Sequence, residues 1–273
     1  MISLMNQQKD EINIGLVTDI HYADKTTSIN RYYKQSLFKL EEAVKVFNDS
    51  NIDFMILLGD TIDTVDKETD LVHLVEVSQK LYKFSRGKYG IPGNHCLDSL
   101  TKNEFLHNFK GIENNKSHFT LDKEKYEFIF LDANFRQDGI EYSEGNFKWQ
   151  DSYLPPTRCQ WLEQKLKQSA AENIIIFIHQ LLDDSDSAEG VKNGDKVRKI
   201  LEKSNKVVAV FQGHRHDGGY SKINDIHYVT MPALVEGDYK NDRNNAFAKI
   251  KINDGKIKIE GFGRVKSRVL ELE

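Results

Sequence analysis

The chain has 273 residues, 39% of them hydrophobic, with 42 acidic and 38 basic side chains and a net charge of −4. That content supports a packed core and excludes a disordered chain. A mixed, slightly acidic surface also argues against a nucleic-acid partner, which would call for a basic excess or stripe.

The polar stretch from Met1 to Asn13 has no apolar segment of the kind a secretory signal needs. Ile12 to Thr18 reads as a buried strand that ends at Asp19, and Ala23 to Asn30 as a loop. Arg31 to Asn48 has helical spacing, with Leu37, Leu40, Ala43, Val44 and Phe47 on one face. Asp53 to Leu58 is a second strand, closed by Gly59-Asp60. Glu68 to Phe84 is helical, and Lys88 to Ile91 is a third strand, stopped by Pro92-Gly93. Two strand–helix–strand units in succession imply a parallel sheet with right-handed crossovers.

Asn103 to Phe109 reads as a short helix. His118 to Leu121 and Tyr126 to Leu131 form a hairpin pattern. The aromatic, glycine-containing stretch from Asn134 to Pro156 reads as a substrate-facing loop. A helix from Thr157 to Ala171 follows, then a strand from Asn173 to Ile178 ending at His179. Leu181 to Asp195 is an acidic loop and Val197 to Ser204 a helix. Lys206 to Phe211 is a strand leading into Gly213-His214-Arg215-His216. Four more strands follow, at Tyr220–Ile223, His227–Met231, Ala246–Ile252 and Lys256–Phe262, with turns at Asn224-Asp225 and Asn253-Asp254-Gly255. The expected architecture is one α/β (α+β) domain over 1–273, a four-layer αββα sandwich of two mixed sheets with flanking helices. Its parallel strands are expected mostly from the N-terminal half and its antiparallel ones from the C-terminal half. The longest apolar runs are five residues, against about 20 for a membrane span. With only two cysteines, the chain suits a reducing, cytoplasmic setting without a membrane partner.

Five strands end in Asp19, Asp60, Asn94, His179 and His214, and crossover lengths place them on the same edge of one sheet. Imidazole and carboxylate donors together suit borderline divalent ions such as Mn, Fe or Zn, and no cysteine cluster suggests a structural zinc site. Two such ions can bind a phosphoryl oxygen and generate a hydroxide nucleophile. Asp63 either supports a metal-binding histidine or caps a helix. Asn94 is either a ligand or a turn residue. His73, His107, His118 and His227 read as structural, and Asp183-Asp184-Ser185-Asp186 as a solvated loop.

Asp19-Ile20-His21, Gly59-Asp60, Gly93-Asn94-His95, His179 and Gly213-His214-Arg215-His216, in this order, resemble the five blocks of the calcineurin-like metallophosphoesterases. The resemblance implies a dinuclear-metal phosphohydrolase. It implies that Asp19, His21, Asp60 and His216 hold one ion, that Asp60, Asn94, His179 and His214 hold the other, and that His95 is the general acid. His21-Tyr22-Ala23-Asp24, Arg31-Tyr32-Tyr33, His216-Asp217-Gly218-Gly219-Tyr220 and Gly261-Phe262-Gly263-Arg264-Val265 look like the manganese-dependent ADP-ribose/CDP-alcohol diphosphatases. That narrower likeness implies two divalent ions, manganese first, and a small nucleotide substrate with a pyrophosphate link. Arg31, Tyr33, Asn134 and Arg215 are the candidate substrate contacts. Cys96 stands where many relatives carry an acid that orients the histidine, and Asp98 is the candidate to replace it. The alternatives are a cyclic-nucleotide phosphodiesterase, a phosphomonoesterase, a non-catalytic scaffold and, against the charge balance, a DNA nuclease.

Overall fold

The computed structural model describes residues 11–253 and 255–272. Most of the Met1–Asn13 stretch, both ends of the 1–273 span and Asp254 of the late turn lie outside them. In chain order the first elements are β1 (Ile12–Val17), α1 (Ser36–Asn48), β2 (Phe54–Leu58), α2 (Lys67–Leu81) and β3 (Gly87–Ile91). They are followed by α3 (Lys102–Asn108), β4 (Phe119–Lys123), β5 (Tyr126–Phe130), α4 (Pro156–Gln168), β6 (Asn173–Phe177), α5 (Gly194–Lys203) and β7 (Val207–Gln212). The chain closes with β8 (Gly219–Ile223), β9 (Ile226–Thr230), β10 (Ala246–Asn253), β11 (Lys256–Gly263) and β12 (Arg268–Glu271).

The strands form two six-stranded mixed sheets, ordered β12-β11-β10-β1-β2-β3 and β4-β5-β6-β7-β9-β8. Side chains alternate across each strand, so an uninterrupted apolar run feeds two layers. Phe54, Ile56 and Leu58 of β2 enter the core between the sheets, against Phe128, Phe177 and Phe211. Met55 and Leu57 face outward onto Leu40, Val44 and Phe47 of α1 and Leu74 and Leu81 of α2. The second sheet repeats the arrangement, with Ile174, Ile176 and Val210 under Leu162 and Leu166 of α4 and Val197 and Leu201 of α5. This is the expected αββα sandwich.

The expected placement of parallel strands needs correction. Besides β1, β2 and β3, the strands β5, β6, β7 and β9 also run parallel. The reason is that α4 and α5 make the second half a further series of strand–helix–strand crossovers. The late strands divide between the sheets: β8 and β9 join the second, and β10, β11 and β12 the first. The five chemical blocks therefore do not share one sheet edge. Asp19, Asp60 and Asn94 follow strands of the first sheet, and His179 and His214 follow strands of the second.

The first helix also starts later than its periodicity suggests. Tyr33–Gln35 form a 3-10 turn and α1 begins at Ser36. The Tyr32 backbone N–H donates to the Val235 carbonyl at 3.0 Å, and Arg31 pairs with Glu236 as an isolated bridge. Tertiary pairing there wins over helical hydrogen bonding. β12 was too short to show a period in the sequence.

Candidate metal centre

The blocks leave their strands abruptly. Asp19, His21, Asp60 and His214 all have positive φ, at 50°, 44°, 44° and 65°. Such backbone costs a non-glycine residue about 1–2 kcal/mol, so surrounding structure must hold these four in place. Two glycines make the close approach possible. A Cβ on Gly59 would lie 2.3 Å from His179 Nδ1, and one on Gly93 would lie 2.2 Å from Asp60 Oδ1.

Asp60 stands at the centre. Its Oδ2 is 3.4 Å from His21 Nε2 and 3.1 Å from His179 Nε2. Its Oδ1 accepts from the His95 backbone N–H at 2.8 Å. On one side Asp19 Oδ1 lies 3.6 Å from Nε2 of both His21 and His216. The donors Asp19, His21 and His216 form one compact group, and Asp60, His179 and His214 a second. His21, Asp60 and His95 make a third that overlaps both, with ligand atoms within 4.8 Å of one another in each.

Several of these buried atoms have no hydrogen-bond partner: Asp19 Oδ1, both amide atoms of Asn94, and Nε2 of His179 and of His214. Buried polar groups are ordinarily paired, and exceptions call for an explanation such as an ion. Unpartnered oxygen and nitrogen donors converging beside a shared carboxylate fit a pair of divalent cations.

The outer ring nitrogens of His21, His216 and His179 are engaged. His21 Nδ1 meets Asp63 Oδ2 at 3.0 Å, His216 Nδ1 meets Glu236 Oε1 at 2.7 Å, and His179 Nδ1 donates to the Leu58 carbonyl at 2.8 Å. Each contact turns Nε2 inward, which is how histidines are prepared for a metal. Asp63 thus supports His21, while the cap of α2 is Asp66.

The cluster is short of positive charge. Burial alone would lower the pKa of His21, but the carboxylates of Asp60, Asp19 and Asp63 around it reverse this and raise it to about 10. His179 is likewise depressed by burial and then lifted to about 9 by Asp60 and Asp19. Burial raises Asp19 and Asp60, yet the neighbouring imidazoles bring both below the usual carboxylate range. Protons here meet a demand that cations would meet instead. His214 is held neutral, down to about 3, by burial and by His179 beside it.

His95 is part-exposed, and its Nδ1 lies 2.7 Å from Asp98 Oδ2. The carboxylate that is missing after the histidine, where Cys96 is buried instead, comes from three residues further along a 3-10 turn.

The candidate substrate contacts fare unevenly. Arg31 is half-buried at the rim, 3.6 Å from Glu236. Tyr33 is buried with Ala23, Ala233 and Val235. Asn134 is fully buried: its Nδ2 donates to Pro92 and Asp132 and its Oδ1 accepts from Gln180. It braces the strand end that carries Asn94 and His95, and it offers no free group. Arg215 is tied to Asp184 and Glu189, so part of the acidic loop has a structural partner. His73, His118 and His227 are hydrogen-bonded within the fold, as read from the sequence.

Three contributors were not legible. Glu236, which holds His216, sits in a loop clamped by buried Lys39, whose Nζ donates to the carbonyls of Leu234, Glu236 and Gly237. Trp149, from the middle loop, packs edge-on against His214 at 5.6 Å. Only the aromatic content of that loop hinted at this.

A family model described as calcineurin-like phosphoesterase matches residues 12–218. A manganese-dependent ADP-ribose/CDP-alcohol diphosphatase of Arabidopsis thaliana is 24% identical over 306 aligned residues, covering 95% of this chain and 96% of that protein. A protein of Vesicomyosocius okutanii named "Probable cyclic nucleotide phosphodiesterase" is 24% identical over 223 residues, with 80% and 84% covered. Among solved structures, a dimetal phosphatase from Danio rerio superposes with a TM-score of 0.84 at 20% identity, over 96% of this chain and 99% of that one.

Proposed function

The chain belongs to the calcineurin-like phosphoesterase family, and from that premise we propose that it hydrolyses the pyrophosphate link of small nucleotide conjugates such as ADP-ribose or CDP-alcohols. The observation that carries this choice within the family is the near end-to-end likeness to a protein named for that activity. We also propose that the chain works as a single cytoplasmic domain, in keeping with two free cysteines, both buried. No helix among the described residues is long and apolar enough to cross a membrane.

Asp19, His21, Asp60 and His216 would hold one divalent ion, and Asp60, Asn94, His179 and His214 the other, with manganese the first choice. Such a pair, when bound, supplies charge neutralisation at the phosphoryl oxygens and activates water. The chain's own part is positioning and proton transfer. Asp60, shared by both donor groups, fixes their separation. Asp63, Glu236 and the Leu58 carbonyl fix the imidazole orientations. Asp98 engages His95 Nδ1, which leaves Nε2 to protonate the departing oxygen. The second-sheet histidines stay buried, which keeps bulk water from competing for the cations.

The test is turnover with Mn²⁺ on ADP-ribose, CDP-choline, cyclic AMP and p-nitrophenyl phosphate. The two diphosphates should be cleaved with the highest kcat/KM. Faster cleavage of the monoester would refute the substrate choice. Preference for cyclic AMP would favour the second reading, a cyclic-nucleotide phosphodiesterase, which the Vesicomyosocius relative supports. Absence of turnover on all four, with metal bound, would favour a non-catalytic scaffold.

A further inference from the structure

We propose that Trp149 is the stacking platform for the substrate's nucleobase. The inference rests on the reading of the substrate as a nucleotide conjugate and adds the element that recognises its organic half. Trp149 is 38% exposed, an unusual situation for a tryptophan. Its ring nevertheless contacts a candidate metal ligand, with centroids 5.6 Å apart and planes at 68° to His214. One part of the indole is thus anchored at the cation cluster while another stays open to solvent. No hydrogen bond ties up its N–H among the described residues. The other tryptophan, Trp161, behaves differently. It packs on the core of α4 and meets His118 edge-on at 4.9 Å.

The segment bearing Trp149 is irregular but well braced. Tyr142 and Phe147 stack at 3.8 Å with planes 5° apart, and the Tyr142 hydroxyl donates to the Lys148 carbonyl at 3.2 Å. The Asp151 backbone N–H returns to the same carbonyl at 2.9 Å, and Asp151 accepts from Gln137. The Lys192 N–H closes the far side on the Ser152 carbonyl at 2.9 Å. The indole is therefore presented rather than mobile, and binding a base to it carries little ordering cost. A base lies one sugar away from the scissile phosphate, so for a phosphate held at Asp60 and His214 it comes within reach of Trp149, which borders His214. Every base has a π-face, so stacking accepts adenine and cytosine alike. One aromatic platform thus serves both conjugates named above, without base-edge hydrogen bonds.

The experiment uses the Mn²⁺-loaded protein and the variants Trp149→Ala and Trp149→Phe. Trp149→Ala should lower kcat/KM for ADP-ribose and CDP-choline by about 10- to 100-fold, mostly through KM. The loss on dimethyl diphosphate, which has no base, should be several-fold smaller than on either conjugate, and Trp149→Phe should recover most of the loss. In parallel, AMP should quench the native protein's tryptophan fluorescence and bind about ten-fold or more tightly than ribose 5-phosphate. Trp149→Phe should abolish that quench. Equal losses on substrates with and without a base, or equal affinity for AMP and ribose 5-phosphate, would overturn the platform. If the native protein fails to cleave diphosphates at all, the substrate reading falls, and the AMP titration still decides the role of Trp149.

Discussion

A methyl group on Gly93 is the smallest change that tests whether Asp60 holds the site together. The added Cβ would lie 2.2 Å from Asp60 Oδ1, 2.4 Å from its backbone N and 2.7 Å from its Cγ, whereas ordinary contact begins near 3.4 Å. Something must therefore move by more than 1 Å. Asp60 cannot swing aside freely, because His95 N–H, His179 and His21 all engage its carboxylate and its φ is already 44°. Overpacking of this kind costs about 1–3 kcal/mol, and about 2–4 °C of Tm accompanies each kcal/mol in a chain of this size class. A shift of 1 Å in a catalytic constellation costs about 10²-fold in rate. Gly93→Ala should thus lower kcat/KM by about 100-fold and weaken Mn²⁺ binding, with only a modest fall in Tm. Steady-state turnover, calorimetric metal titration and thermal unfolding read these three quantities. Gly139→Ala is the control: a Cβ there meets nothing within 4 Å, and its φ of 84° adds a backbone strain that Gly93, outside the positive-φ region, does not carry. Native turnover and metal affinity in Gly93→Ala would refute the central role given to Asp60.

Glu236→Gln should weaken divalent-ion binding by about 10- to 100-fold by loosening His216, and an unchanged Kd would remove that role. Asp98→Asn should leave metal affinity intact and lower kcat by about 10-fold or more, because His95 loses the partner that orients its proton. An equal loss in metal binding would point to a structural role instead. His21 and His179, raised from 6.5 to about 10 and about 9, carry protons at pH 7 that a cation must displace. Apparent Mn²⁺ affinity should therefore rise with pH between 7 and 9, with proton release seen by calorimetry in buffers of different ionisation enthalpy. Zero release would contradict it. The same raised values stabilise the metal-free fold below pH 6.5, and that contribution is lost as pH rises through 9 to 10. Chelated protein should thus lose Tm on that side, while protein with free Mn²⁺ at 100 times its Kd gains about 2.7 kcal/mol.

What could be read from the chain alone was set by local rules. Apolar runs that end at Asp19, Asp60, Asn94, His179 and His214 marked both the strands and their chemical ends, because a buried strand needs continuous apolar character and a ligand must sit where it stops. Glycines stand before Asp60 and before Asn94 in the sequence, and the structure shows what approaches them: His179 at one and Asp60 itself at the other. Helix spans were legible from period alone wherever packing onto a sheet sets the face. Long-range pairing decided the remainder. Arg31 and Tyr32 left the helix for the strand-like segment at Val235 and Glu236, and a contact 200 positions away has no local signature. The division of the blocks between two sheets, Glu236 behind His216, Lys39 clamping that loop and Trp149 over His214 all arise from where separate segments meet. A sequence records which side chains can bind a cation. Which of them are turned inward, left without another partner and held at a strained backbone angle depends on the packed whole, since only there do burial and neighbouring charge act together.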